Sequence, residues 1–292
     1  MTECNPLHAA HYPDQARCTT VPIVENGPLA RDTHRVRIQC PEIARTLVPG
    51  QFVMMRLAGF NDPLIGRALA VYDTFPDAVS QPAGIDVVYM VKGKFTHRLA
   101  ECRPGQLLDV WGPLGNGFEA KAVDHLILVA GGIGQTPFVT VAQEALGHRQ
   151  YGTPPRSNAR CGRVTLCYGA RSADMLAGVG DFEQLGVDVQ LATEDGSRGH
   201  RGLVTDVLAG VLRGSHGSRR ILCCGPERMM QAVAGVAAQH ETPCEVSLES
   251  PMACGIGICF SCVVKLDDGQ GGWDYRRTCV EGPVFDAAKI RW

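Results

Sequence analysis

Two hydrophobic patterns divide the chain. Between residues 18 and 111, apolar and β-branched residues come in runs of four to eight positions: Thr19–Glu25, His34–Cys40, Gln51–Leu57, Arg67–Tyr72, Ile85–Val91 and Leu107–Trp111. Turn-forming residues separate them at Asn26-Gly27, Pro49-Gly50, Asn61-Asp62-Pro63, Pro82-Ala83-Gly84 and Pro104-Gly105, as expected of short strands. Six strands at this spacing predict a small antiparallel barrel, with a helix over Phe95–Glu101. From Lys121 the pattern changes. Leu126–Ala130 is a continuous apolar run of the kind found in strands buried on both faces, and Val164–Tyr168, Val187–Ala192 and Ile221–Cys224 repeat it. Helices are predicted between them over Phe138–Leu146, Asp181–Leu185, Leu203–Leu212 and Glu227–His240. This alternation predicts an open parallel sheet with helices on both faces. His148–Arg163, with Pro154-Pro155 and several arginines, reads as an exposed loop. Beyond Glu245 only a strand at Val263–Leu266 and a glycine-rich hairpin at Asp267–Gly272 are expected. The predicted class is a multidomain β plus α/β protein: a loose tail over 1–18, a barrel over 19–120, an α/β domain over 121–244 and a small module over 245–292.

Composition narrows the partners. A chain of 292 residues is long enough for two cores. With 28 Lys and Arg against 30 Asp and Glu it lacks the basic excess that binds nucleic acid. No stretch approaches the ~20 consecutive apolar residues of a membrane span, and Met1–Ala16 does not read as a secretory signal. Thirteen cysteines, an odd number in a chain of this length, argue against a disulfide framework and for a reducing, cytoplasmic setting.

Four of those cysteines carry chemistry. Cys254, Cys259 and Cys262 stand at C-x4-C-x2-C, and Cys279 follows, which is the plant-type ligand spacing for a [2Fe–2S] cluster. Gly255 and Gly257 let backbone N–H groups approach cluster sulfurs. A structural zinc site, which usually pairs its thiols as short knuckles, and four unrelated buried thiols are the alternatives. A module this small buries little apolar surface, so ligation is expected to supply much of its folding energy.

Further candidates lie upstream. Gly131-Gly132-Ile133-Gly134 follows a predicted strand and leads through Pro137 into a helix, the context in which a glycine turn approaches a pyrophosphate. Thr193-Glu194-Asp195-Gly196-Ser197 and Cys224-Gly225-Pro226 end strands of the same sheet, where ligands of open α/β sheets bind. Arg67 is a charge inside the apolar run of Ala68, Leu69 and Ala70; it either clamps an anion such as a flavin pyrophosphate or sits on an edge strand facing water.

Taken together, Arg67, the Gly112-Pro113-Leu114-Gly115-Asn116-Gly117-Phe118 crossover, the glycine turn, Cys224-Gly225-Pro226 and the cysteines resemble the ferredoxin–NADP reductase superfamily. Ser247-Leu248-Glu249-Ser250-Pro251-Met252-Ala253-Cys254 and Cys279-Val280-Glu281-Gly282-Pro283-Val284-Phe285 narrow the likeness to electron-transfer subunits of NAD-dependent dihydroorotate dehydrogenases, over about 21–285. The resemblance implies that the barrel binds FAD, the α/β domain NAD, and that the cluster faces a separate FMN-containing subunit in a hetero-oligomer making pyrimidines. It places flavin contacts at Arg67 to Ala70, at Val88-Tyr89-Met90 and at Phe95-Thr96. Nicotinamide contacts fall at Gly131, Gly132, Gly134, Cys224, Gly225 and Pro226. Electrons would pass singly from the partner's FMN through the cluster to FAD and as a hydride to NAD⁺, with no general acid or base in this chain. Two positions depart from the family pattern: Ala70 replaces a serine, and Phe95 replaces a glycine, setting a bulky ring where the backbone is usually free. Reductases of the same parts serving a ferredoxin, hydrogenase or oxygenase, and a redox-sensing module without flavin, are the rival expectations.

Overall fold

The computed structural model describes residues 13–157 and 159–292, so most of the expected tail lies outside the described residues. The N-terminal half comprises β1 (Arg17–Ala30), β2 (Thr33–Ile38), α1 (Pro41–Thr46), β3 (Phe52–Leu57), β4 (Arg67–Ala70), β5 (Asp73–Pro76), β6 (Pro82–Met90), α2 (Lys94–Glu101) and β7 (Leu107–Leu114). Its strands pair antiparallel in the order β4-β3-β7-β1-β2-β6-β5.

There are seven strands where six were expected: the Arg67–Tyr72 run ends as a strand at Ala70, turns a corner at Val71 and Tyr72, and leads into the additional strand β5. Val71 N–H donates to Gln51 O beside β3, and Tyr72 N–H donates to Asp86 O on β6. The chain thus crosses from one edge of the sheet to the other and bends it into a half-barrel. Asn26-Gly27 is not a turn. Both residues lie inside β1, opposite Val36 and Arg35, and the reversal falls at Asp32, whose φ is 54°. The Asn26 amide donates to Leu99 O and Cys102 O and accepts from the Tyr89 hydroxyl. It satisfies the carbonyls left open at the end of α2, a use that local turn propensity does not reveal.

The second half contains β8 (His125–Gly131), α3 (Phe138–Ala145), β9 (Arg163–Ala170), α4 (Val179–Gln184), β10 (Asp188–Thr193), β11 (His200–Arg201), α5 (Val204–Arg213), β12 (Arg219–Cys224), α6 (Glu227–Gln239) and β13 (Cys244–Ser247). The C-terminal segment adds β14 (Val263–Asp267), β15 (Trp273–Arg277) and β16 (Val284–Asp286). The sheet order is β11-β10-β9-β8-β12-β13-β16, parallel except for β16. The division at 244/245 therefore falls inside β13, and the cysteine module is joined to the sheet at both ends. Successive residues of β8 explain its apolar run: Ile127 and Val129 pack with Leu208 of α5 and Val233 of α6. Leu126, Leu128 and Ala130 pack with Phe138 of α3 and with Tyr72, Val88 and Phe118 from the barrel.

The loop at 148–163 is not simply exposed. Arg149 bonds Asp73 and Thr74 of β5, Tyr151 is buried and donates to Gln143, and Arg156 pairs with Glu144 and donates to Phe118 O. Arg149 and Arg156 thus tie the loop to the barrel across its seam with the sheet. No helix among the described residues is long and apolar enough to cross a membrane.

Candidate functional site

The cysteine loop lies against the barrel. Trp111 on β7 donates its indole N–H to Cys254 O at 2.8 Å, while Phe52, Met54 and Leu114 pack with Cys262, Cys279 and Val280. Gly255 has φ +73°, and a Cβ there would stand 2.6 Å from Met54 Cγ. Gly257 has φ +81°, and a Cβ there would stand 2.6 Å from Val280 Cγ2. Both glycines are needed for the bend and for the close approach. Phe260, with φ 56°, is a third left-handed bend, without glycine's freedom.

Cys262 and Cys279 are buried together in one apolar cluster, and the Ser261 hydroxyl lies 3.1 Å from Cys259 Sγ. Cys262 and Cys279 are each 1% exposed, Cys254 is half-buried and Cys259 is open to solvent. Hydrogen bonding from Ser261 draws Cys259 down to about 6, with Cys254 contributing less. The neighbouring Cys279 thiol draws Cys262 down to about 6, and the same pairing pushes Cys279 up, as when two sulfurs share one proton. Ile256 N–H approaches Cys254 Sγ at 3.4 Å. Among the described residues, no three His, Cys, Asp or Glu side chains converge as they would on a single ion. Cys259 and Cys262 thus give up their protons readily, and four cysteines at this spacing suit a cluster of two irons with two thiolates on each.

The two glycine-bearing turns meet. β12 lies beside β8 with Cys224 opposite Ala130. The chain builds outward from β8 through β9 and β10 before crossing back to β12, so the crevice between β8 and β12 is the switch point of the sheet, where nucleotides bind. A Cβ on Gly134 would overlap the Cys224 carbonyl, and one on Gly131 would overlap Met229. Gly132, at φ +55°, faces open space. Gly225 (φ +155°) and Pro226 complete the other wall. Cys224 is itself buried, and burial pushes its thiol up to about 12.

Residues of the expected flavin strand separate by face. Arg67 is exposed on the edge strand β4 and donates to Ile65 O and Gly66 O, so its charge is free to meet an anion. Ala68, Leu69 and Ala70 are half-buried, and among the described residues the outer side of β4 has no partner strand. Val88 faces the seam with the sheet, whereas Tyr89 points into the barrel and donates to Asn26; Met90 is half-buried at the strand end. Phe95 is 1% exposed in the barrel core. Its ring therefore does not stand at a cofactor face, and the concern raised by its replacing a glycine does not apply. The Thr96 hydroxyl accepts from Lys92 N–H and Gly93 N–H and donates to Gly93 O, holding the turn into α2. Among the described residues, the outer side of β4 and the Arg67 guanidinium are left open beside these side chains.

Sequence reasoning missed Glu249 and Trp111 as site residues. Glu249, just past β13, is open to solvent yet walled by protein; that crowding raises its carboxyl, Lys92 opposing the shift, and its charge helps raise the Cys224 thiol. It lay within the Ser247-Leu248-Glu249 motif, which was read for likeness alone. Trp111 stands in the sequence only as the last residue of a predicted strand, next to the glycine-rich crossover.

Comparison with known proteins adds independent information. Residues 20–118 match the oxidoreductase FAD-binding domain, residues 128–235 the oxidoreductase NAD-binding domain, and residues 249–291 the iron–sulfur cluster binding domain of dihydroorotate dehydrogenase B. The dihydroorotate dehydrogenase B (NAD(+)) electron transfer subunit of Desulforamulus reducens is 35% identical, over 90% of this chain and 94% of that protein. Its counterpart from Shouchella clausii is 33% identical, over 92% of this chain and 96% of that protein. A solved NADH-dependent reduced ferredoxin–NADP oxidoreductase, studied for flavin-based electron bifurcation, superposes with TM-score 0.77 at 30% identity, covering 93% of this chain and 90% of that one. A cytochrome P450 reductase from Amycolatopsis shares the fold at TM-score 0.60 and 22% identity, covering 77% and 66%.

Proposed function

The chain belongs to the dihydroorotate dehydrogenase B (NAD(+)) electron transfer subunits, and from that membership we propose that it links an FMN-containing, dihydroorotate-oxidising subunit to NAD⁺ in cytoplasmic pyrimidine synthesis. The observation that carries this reading is the seat of the cysteine loop: Cys254 is bonded to Trp111, and the Trp111 ring packs on Gly66, the residue before Arg67. The cluster loop and the flavin strand thus share one side chain.

Bound here, the cluster supplies one-electron chemistry, FAD one- or two-electron chemistry and NAD⁺ hydride chemistry. Everything else is positioning. Cys254, Cys259, Cys262 and Cys279 hold the irons of a [2Fe–2S] cluster. Arg67 holds the FAD pyrophosphate, and the free edge of β4 orients the ring system by backbone bonds that do not need a hydroxyl at residue 70. Gly131, Gly132, Gly134, Cys224, Gly225 and Pro226 seat the nicotinamide dinucleotide. Residues 19–120, 121–244 and 245–292 form the corresponding FAD, NAD and cluster units, the last anchored through β13 and β16.

The catalytic partner docks over the cysteine loop. Ile258 and Phe260, 69% and 62% exposed, form its apolar tip, and Leu64 and Ile65, also exposed, precede the Gly66 that packs on Trp111. Apolar side chains exposed at a site of electron entry mark an interface.

Anaerobic pull-down of the chain from its own source tests the proposal. Co-purification of an FMN protein, with dihydroorotate-dependent reduction of NAD⁺ and both flavin and iron–sulfur absorption, is expected. The likeness to the ferredoxin–NADP oxidoreductase favours a ferredoxin-linked reductase as the second reading. Reduction of ferredoxin by NADH with no dihydroorotate oxidation in the pulled-down material would replace the first reading by the second.

A further inference from the structure

Arg277 stands two residues before Cys279, and its guanidinium is engaged on several sides. It donates through Nη1 to Gly257 O at 3.0 Å and through Nε to Glu281 Oε2 at 3.1 Å, and it lies 5.1 Å from the centroid of the Phe260 ring. Glu281 Oε2 also accepts from Arg277 N–H at 2.7 Å. Gly257 and Phe260 are the two left-handed bends nearest Cys259, so one cation braces both. Among the described residues, Arg277 is the charged side chain that hydrogen-bonds the backbone between Cys254 and Cys262. Arg276, its neighbour, turns away to Asp274. The side chains of Arg277 and Glu281 are 22% and 27% exposed, sheltered enough that their fields reach the loop with less screening than at an open surface.

We propose that the Arg277–Glu281 pair sets the reduction potential of the cluster held by this loop, Arg277 raising it and Glu281 lowering it. The proposal rests on the cluster reading of the four cysteines. The step concerned is the uptake of one electron by the oxidised cluster, from the reduced FMN of the partner subunit or, in a titration, from dithionite; no bond forms or breaks. Reduction adds one negative charge, so a nearby cation favours the reduced form and a nearby carboxylate the oxidised form. Arg277 reaches the loop through the Gly257 carbonyl and Glu281 is held beside it by Arg277 Nε, and their opposite charges give their effects opposite signs. A purely structural clamp would give neither sign.

The test is an anaerobic redox titration of the full chain, followed by the electron paramagnetic resonance of the reduced cluster, with iron content measured alongside. Arg277→Met is expected to shift the midpoint potential negative and Glu281→Gln to shift it positive. Arg277→Lys, which keeps the charge and loses the planar fork, is expected to stay nearer to wild type than Arg277→Met. Shifts in the same direction for Arg277→Met and Glu281→Gln, or no shift in either with iron retained, overturn the proposal. Should Arg277→Met lose iron, Glu281→Gln decides alone, and a negative or absent shift overturns it. A wild-type chain that never shows an iron–sulfur signal would instead refute the cluster reading itself.

Discussion

The α/β sheet and the cysteine module are held together by different means. In the sheet, Ile127, Leu128 and Val129 have no exposure, and both faces of β8 are covered. In the module, the hairpin of β14 and β15 leaves Trp273 and Tyr275 exposed, and the buried residues around the loop are Cys262, Thr278, Cys279 and Val280. Apolar burial stabilises the first; in the second, two of the four buried residues are the thiols Cys262 and Cys279. A core of thiols ties folding to loading, so the module folds with its cluster while the sheet stands without it.

The largest effect that would sharpen this contrast is loss of one ligand. Cys262→Ser should lower electron passage to the partner subunit on the order of 100-fold or more, while NADH oxidation by a flavin-reactive dye stays near wild type; equal loss of both would contradict the separation of sheet and module. Iron chelation is the reversible form of that test. Amides between Cys254 and Cys279 should then exchange hydrogen rapidly while those of β8 and β12 keep their protection. In the sheet, Leu128→Ala should cost about 2–5 kcal/mol in denaturant melts, with the cluster spectrum unchanged below the transition. A cost under about 1 kcal/mol would mean that the sheet does not depend on its apolar core.

Gly134→Ala acts at the meeting of the two turns. The added methyl overlaps the Cys224 carbonyl and should raise the KM for NAD⁺ roughly tenfold, or about 1.4 kcal/mol of binding, with flavin and iron contents unchanged. The smallest effect concerns His125, buried with its ring nitrogens against Ser215 Oγ at 2.6 Å and Thr165 Oγ1 at 2.8 Å. Burial, helped by Arg163, lowers its pKa. The unfolded chain therefore binds the proton more readily, and the contribution to stability is full above the unfolded value of about 6.5 and declines as pH falls through it toward the lower folded value. His125→Asn should flatten the dependence of stability on pH from about 7.5 down to about 5.5; an unchanged slope would show that His125 is not its source.

Much of this was legible in the sequence, unevenly. The β8 run, the helices after it and the cysteine spacing are local patterns, and each reappears in the structure. Asn26-Gly27 misled because the carbonyls that use Asn26 lie more than seventy residues away. The 148–163 loop misled because its arginines find partners on β5 and on the end of the crossover. Phe95 was assigned to the flavin by alignment with a motif, and only packing shows its ring turned into the barrel.

By itself the sequence determined the kinds of structural unit, the spacing of the four cysteines and the glycine turns, because periodicity and spacing are properties of neighbouring residues. Only the tertiary structure decided that Cys262 and Cys279 are buried together, that Trp111 joins Cys254 to the residue before β4, that Gly134 abuts Cys224, and that Arg277 rather than Arg276 faces the loop. Those relations join residues from separate strands and loops, or distinguish two identical neighbours by the direction of their side chains. Their energies depend on distance and burial, which no linear pattern carries.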